Sequence, residues 1–228
     1  AKGCHTYKFL PAISTELFKE NDGFKVDFFD GQEFEGEPIE TKILKGNKFW
    51  AMGGFGLDIV AQSKRPSLSV RFAGEIEPEF TGEYEFEIFS IGPSRLSING
   101  ENLIDNWTSQ DPGDAFFGMG SSPKRNTVTF QKGESYFIEV EYKWEGRFPA
   151  VQIGMQVPDQ HDLMEEAISL AKQSDAVILI VGTNSDWETE GNDRASLELP
   201  SNQDELIKNI CEVNKNPVVV LNTGSPCE

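Results

Sequence analysis

Between residues 24 and 157 the chain returns repeatedly to a period of two. In "SLSVRF" the apolar set is Leu68, Val70 and Phe72; in "EYEFEIF" it is Tyr84, Phe86 and Ile88. In "SYFIEVEY" it is Tyr136, Ile138, Val140 and Tyr142, and in "AVQIGMQV" it is Val151, Ile153, Met155 and Val157. Successive side chains of a strand point to opposite faces, so each run buries one face and wets the other. Asn99-Gly100 separates "RLSI" from "ENLID", and a two-residue hairpin turn needs positive φ at both positions, which Asn and Gly accept. "QKGE" at 131–134 supplies another turn. Short strands joined by Gly- and Pro-containing turns predict an antiparallel β-sandwich.

The period changes after Pro158. "HDLMEEAISLAKQ" places Leu163, Ala167, Leu170 and Ala171 on one helical face, and the following "AVILIV" is apolar on both sides, as a central parallel strand is. A second helix follows, with Ser201 as its expected N-cap, Asp204 and Glu205 at the positive end of its dipole, and Leu206, Ile207, Ile210 and Val213 as its buried stripe. "PVVVLN" is another buried strand, so residues 160–222 read as α-β-α-β with a right-handed parallel crossover.

Two parallel strands leave faces and edges that need cover. The pattern therefore predicts an antiparallel β-sandwich joined to a partial α/β parallel-sheet domain, a fragment of a larger enzyme in which the sandwich is inserted. The alternative is a stand-alone protein with a short α/β appendage. Expected boundaries are 1–23 for a lead-in segment of the α/β domain, 24–157 for the sandwich insert and 158–228 for part of the α/β domain.

Composition narrows the function classes. The 38 Asp and Glu against 20 Lys and Arg give a formal charge of -18, which repels phosphate backbones and anionic headgroups, so neither nucleic acid nor membrane is an expected partner. "AVILIV" and "PVVVL" fall far short of the roughly 20 residues of a membrane span, and "AKGCHTYKFLPAIS" lacks the apolar core of a signal peptide. Cys4, Cys211 and Cys227 are an odd, widely spaced set, which supports neither a disulfide framework nor a CxxC site and favours the cytoplasm slightly over secretion. With only His5 and His161 and no HExxH, no metal, cofactor or Ser-His-Asp site is expected. A homo-oligomer is compatible with the sequence.

The candidate chemistry lies in "SDWETEGNDR", residues 185–194, directly after the first buried strand. Ligands of open parallel sheets bind outside the C-terminal ends of the strands, where this loop and "NTGSPCE" both begin. A carboxyl packed against an indole is partly desolvated and keeps its proton nearer neutral pH, as a general acid requires. Trp187 would be that neighbour, and Arg194 would neutralise Asp193 and hold the loop in shape. On spacing alone, Asp186, Glu188, Glu190 and Asp193 are equally readable as ordinary polar loop residues.

The stretch "WETEGNDRASLELPSNQDELI", with "PVVVLNTGSP" downstream, resembles the α/β-sandwich domain of glycoside hydrolase family 3 β-glucosidases. Residues 24–157, with "GFKVDFFDG" near the start and "DNWT" followed by "GDAFFGMGS", resemble the protective-antigen-like β-sandwich inserted in some members, and "TYKFLPAI" fits the sequence before the insertion. The resemblance implies retaining hydrolysis of terminal β-D-glucosyl residues by two carboxyl groups about 5 to 5.5 Å apart. By position the acid/base falls on Glu190, with Glu188 the runner-up. The nucleophile would be an Asp in a Ser-Asp-Trp context on a separate barrel domain; Ser185-Asp186-Trp187 imitates that triplet inside the acid/base loop and is read as coincidence. A chain holding one of the two carboxylates is expected to be inactive by itself, with a β-glucoside or oligosaccharide and the remaining domains of the same enzyme as its partners.

The same resemblance implies that the loop "DNWTSQDPGDAFFGMGS" limits the substrate on the aglycone side, with Phe116 and Phe117 as stacking candidates and core burial as the alternative for each. Arg95, Asp105 and Asn106 would orient that loop or touch substrate. A different class remains in view, since protective-antigen-like domains also occur in adhesins that bind sugars through calcium. Those use an Asp-Asp pair absent from this sequence, which leaves a metal-free carbohydrate-binding or adhesion module as the alternative function. Asn106-Trp107-Thr108 satisfies the N-glycosylation sequon.

Overall fold

The computed structural model describes residues 8–20, 22–46, 48–50, 67–146, 148–158, 163–184, 186–188 and 194–228. They form two compact units, Leu10–Pro158 and a second unit that contains everything from Asp159 onward.

The first unit is a two-sheet antiparallel sandwich. Its strands are β1 (Phe24–Asp30), β2 (Glu40–Leu44), β3 (Lys48–Trp50), β4 (Ser67–Ile76), β5 (Gly82–Ile91), β6 (Ser94–Ile98), β7 (Glu101–Asn106), β8 (Lys124–Phe130), β9 (Tyr136–Glu145) and β10 (Ala150–Gln156). One sheet runs β2-β1-β4-β9-β6-β7 and the other β3-β10-β5-β8. The alternating apolar set is the core: Leu68, Val70, Phe72, Tyr84, Phe86, Ile88, Ile138, Val140, Tyr142, Val151, Ile153 and Met155 are all buried in one cluster fed by both sheets. The expected wet face is missing from β10, where every residue from Ala150 to Met155 is buried. Each side chain buried in this way is worth about 1.5–3 kcal/mol relative to exposure, so the core is decided by which face each strand turns inward. Val157, past the end of β10, is 37% exposed. The Asn99-Gly100 turn has φ of 51° and 83°, as the hairpin between β6 and β7 requires. Asn99 Oδ1 also accepts the Phe137 N–H at 2.8 Å, tying the turn to β9.

The stretch expected as a lead-in to the α/β domain is, from Leu10 onward, stitched to this sandwich. Leu10, Ile13, Leu17 and Phe18 are buried. Leu10 N donates to Glu87 Oε1 at 2.8 Å, Met155 N donates to the Pro11 carbonyl, and Lys19 N and Glu77 N exchange bonds with Glu75 and Leu17.

In the second unit α1 (Leu163–Lys172), β11 (Val177–Gly182), α2 (Gln203–Val213) and β12 (Pro217–Asn222) follow the predicted order, with β11 and β12 parallel from Val177↔Pro217 to Gly182↔Asn222. Two details correct the reading of the helices. The packed face of α1 carries Met164, Ala167, Ile168 and Ala171, while Leu170 is 53% exposed. The N-cap of α2 is Asn202, without a side-chain cap bond, and Ser201 sits just before it at φ 59°. The start of α2 is set by Gln203, whose buried side chain reaches the last residue of β11. Ile178, Ile180, Val218 and Leu221 are each more than half exposed, so β11 and β12 present apolar side chains that the described residues do not cover.

Candidate active site

β11 ends at Gly182, and the loop beyond it is built by short-range bonds to Asn184. The Asn184 side chain accepts the Asp186 N–H at 2.9 Å, an Asx turn, and its carbonyl accepts from Trp187 N and Glu188 N at 3.0 and 3.2 Å. This turn aims the Glu188 carboxylate across to the loop after β12. Oε1 accepts from Thr183 Oγ1 at 2.7 Å and from Gly224 N at 2.8 Å; Oε2 accepts from Ser225 Oγ at 2.6 Å and lies 3.0 Å from Arg194 Nε. A Cβ at position 224 would lie 2.8 Å from Glu188 Oε1, so glycine is what lets the backbone approach.

Those donors set the charge state. The Ser225 and Thr183 hydroxyls, the Gly224 N–H and the Arg194 guanidinium hold the Glu188 carboxyl down to about 2, because each stabilises the ionised form. Such a group is an anchor and has no proton to give near neutral pH. Arg194, 7% exposed at its side chain, also donates to the Pro226 carbonyl at 2.6 Å and Ser225 Oγ at 2.9 Å, and lies 3.3 Å from Cys227 Sγ. The structure thus brings Arg194 to Glu188 and to the loop after β12. Glu190 and Asp193 lie outside the described residues, and Trp187 is half-buried beside Glu188.

In the sandwich, the loop after β7 is pinned at both ends. Asn106 is fully buried, and its Nδ2 lies 3.0–3.1 Å from the hydroxyls of Ser90, Ser94 and Ser121. Ser121 N donates to the Ser90 carbonyl and Gly113 N to that of Gly120. The Asp105 carboxylate accepts from the N–H groups of Thr108 and Trp107 and from the Thr108 hydroxyl, bonds that lower its pKa. Between these ties Ala115–Gly118 make one helical turn in which Phe116 and Phe117 are left-handed, at φ 53° and 60°. Phe116 is buried at 8% exposure and Phe117 is 49% exposed; the Phe116 ring packs against Phe89 at 5.4 Å. Consecutive left-handed non-glycine residues cost roughly 1–2 kcal/mol each, and such strain persists where the surroundings hold it. Arg95 is committed to Glu141, with Nε at 2.7 Å from Oε2, and its guanidinium stands 4.9 Å from the Trp107 ring centre.

Sequence reasoning did not single out Gln203, Ser90, Ser94 or Ser121, although Gln203 stands in the quoted "NQDELI" run: their bonds to Gly182 and to Asn106 join positions 12 to 21 residues apart. Among the described residues no group of His, Cys, Asp and Glu is placed to hold a metal ion.

Comparison with known proteins gives this geometry a family. The family model described as the glycosyl hydrolase family 3 C-terminal domain matches residues 37–228. A beta-glucosidase of Rhizobium radiobacter is 33% identical over 236 residues, covering 100% of this chain and 27% of that protein. A probable beta-glucosidase I of Emericella nidulans is 30% identical over 249 residues, covering 99% of this chain and 28% of its own length. The crystal structure of the selenomethionine-labelled beta-glucosidase from Kluyveromyces marxianus superposes on 100% of this chain with a TM-score of 0.87 at 28% identity, using 28% of that chain. The chain thus spans a little over a quarter of the relatives it matches, and with the family model covering all but its first 36 residues, it belongs to glycosyl hydrolase family 3.

Proposed function

We propose that this chain is the acid/base-bearing part of a retaining β-glucosidase, with Glu190 as the proton donor and the nucleophile carried by another domain of the same enzyme. The observation that carries the reading is the anchoring of the loop after β11. Glu188 and Arg194 flank Glu190 in sequence and are bound to each other and to Ser225, at the C-terminal ends of two parallel strands, where such sheets place their chemistry. Glu188 is ionised by its four donors, which speaks against the runner-up; Glu190 is the position that the family resemblance implies for protonation of the leaving oxygen. The second carboxylate, about 5–5.5 Å away in a retaining enzyme, comes from the length of the relatives that this chain does not span. The uncovered apolar residues of β11 and β12 fit a sheet that continues in that missing part. The chain alone is therefore inactive.

The sandwich is read as a protective-antigen-like insert whose loop 107–121 shapes the aglycone side. Phe117 is the exposed ring of that loop, and buried Phe116 keeps it in place. The deciding experiment is steady-state kinetics of a full-length enzyme carrying this chain with Glu190→Gln. Turnover should fall by about 10²–10⁴ for glucosides with poor leaving groups and far less for those that leave without protonation; equal losses on both would reject the assignment.

A further inference from the structure

We propose that Glu188 is the positioning residue of the acid/base loop: its carboxylate, closed onto Arg194 and bonded to the loop after β12, fixes both ends of the segment 189–193 in which Glu190 stands. The inference rests on the reading of Glu190 as the proton donor and adds the device that places it.

The geometry carries the claim in three steps. First, the Glu188 Oε2 to Arg194 Nε contact of 3.0 Å joins the residue before the segment to the residue after it. A contact between residues 188 and 194 shortens the span left to be closed between them, and a shorter span has fewer conformations to lose. Second, the closure is itself held. Ser225 Oγ binds Glu188 at 2.6 Å and Arg194 at 2.9 Å, so one hydroxyl contacts both sides of the ion pair. Gly224 N and the Pro226 carbonyl supply further bonds from the same loop. Third, the charged groups are partly shielded from water, with Arg194 7% and Glu188 19% exposed at their side chains. In such a setting a charge-assisted pair is strong, and removal of one partner strands the other. A loop whose ends are tied to the ends of two parallel strands presents a proton donor in one place, and a displacement of about 1 Å in such a donor can lower a rate about 100-fold.

The test uses a full-length enzyme carrying this chain, with Glu188→Gln, Glu188→Gly, Arg194→Gln, the double variant of Glu188→Gln with Arg194→Gln, and Glu190→Gly. For a glucoside with a poor leaving group, Glu188→Gln and Arg194→Gln should each lower kcat by about 10- to 100-fold with KM within about 3-fold. The double variant should fall no further than the worse single one, since both remove the same closure. With an activated aryl β-glucoside, whose aglycone leaves unprotonated, sodium azide should restore Glu190→Gly by displacing the nucleophile carboxylate of the glycosyl-enzyme, leaving a β-glucosyl azide product, yet restore neither Glu188→Gln nor Glu188→Gly. Amide hydrogen exchange at Trp187 and Gly224 should rise in the Glu188 variants. Azide rescue of Glu188→Gly would make Glu188 the proton donor and overturn the proposal, as would wild-type kcat in Glu188→Gln or losses that multiply in the double variant. If Glu190→Gly is not rescued while the Glu188 and Arg194 losses remain non-additive, the clamp stands and the identity of the proton donor falls.

Discussion

Gln203 bonds both backbone groups of Gly182: Gly182 N donates to Gln203 Oε1 at 2.6 Å, and Gln203 Nε2 donates to the Gly182 carbonyl at 2.8 Å. The first residue of α2 thus completes the last residue of β11, immediately before the loop proposed to carry the acid/base. A side-chain amide matches a backbone amide in this pairing because it carries one donor and one acceptor at the same spacing.

Gln203→Ala is expected to destabilise the α/β part by on the order of 1–2 kcal/mol, since two hydrogen bonds are lost at a half-buried strand end. Gln203→Glu should be worse, because a carboxylate cannot donate to the carbonyl and faces it with like charge. Denaturant unfolding of the full-length enzyme checks both, and equal stability of Gln203→Ala and wild type would refute the role.

The buried Asn106 predicts two outcomes. Asn106→Ala leaves Ser90, Ser94 and Ser121 without their shared partner and should lower stability by about 1–3 kcal/mol. The sequon at Asn106-Trp107-Thr108 should carry no glycan when the protein is secreted from yeast, because the amide nitrogen is fully buried. Mass spectrometry before and after glycosidase treatment reads this directly.

Phe116 and Phe117 should part company on mutation. Phe116→Ala removes a buried ring and should cost about 3–5 kcal/mol. Phe117→Gly relieves a left-handed non-glycine residue and should leave stability unchanged or higher by about 1 kcal/mol, while altering the preference between short and long glucosides. An unaltered chain-length profile for Phe117→Gly would remove the ring from the substrate side.

Glu188 predicts a pH window. Its folded pKa of about 2 lies below the ordinary 4.5, so its contribution to stability is fully present above about pH 4.5 and is lost as pH falls toward 2. The melting temperatures of wild type and Glu188→Gln should therefore differ at pH 6 and converge as pH approaches 2. A difference that stays constant down to pH 2 would contradict the depressed pKa. Selective ¹³C labelling of glutamate should place the Glu188 carboxyl midpoint near 2.

The sequence by itself determined β4, β5, β6, β7, β9 and β10 of the sandwich, the Asn99-Gly100 hairpin and the α-β-α-β order, because each depends on a local period or on two adjacent dihedral preferences. Strands such as Leu68–Val70–Phe72 bury one face, so the alternation of side chains is written directly into the order of residues. Tertiary structure alone decided that Leu170 faces outward, that Gln203 rather than Ser201 sets the start of α2, that Phe116 is buried where Phe117 is exposed, and that Glu188 is an anchor. Glu188 lies in a run of carboxylates that read alike in sequence, and what sets it apart is the donors of Gly224 and Ser225, 36 and 37 residues away. The charge state and role of a carboxyl are set by the groups within about 3 Å of it, and only the folded chain brings those groups there.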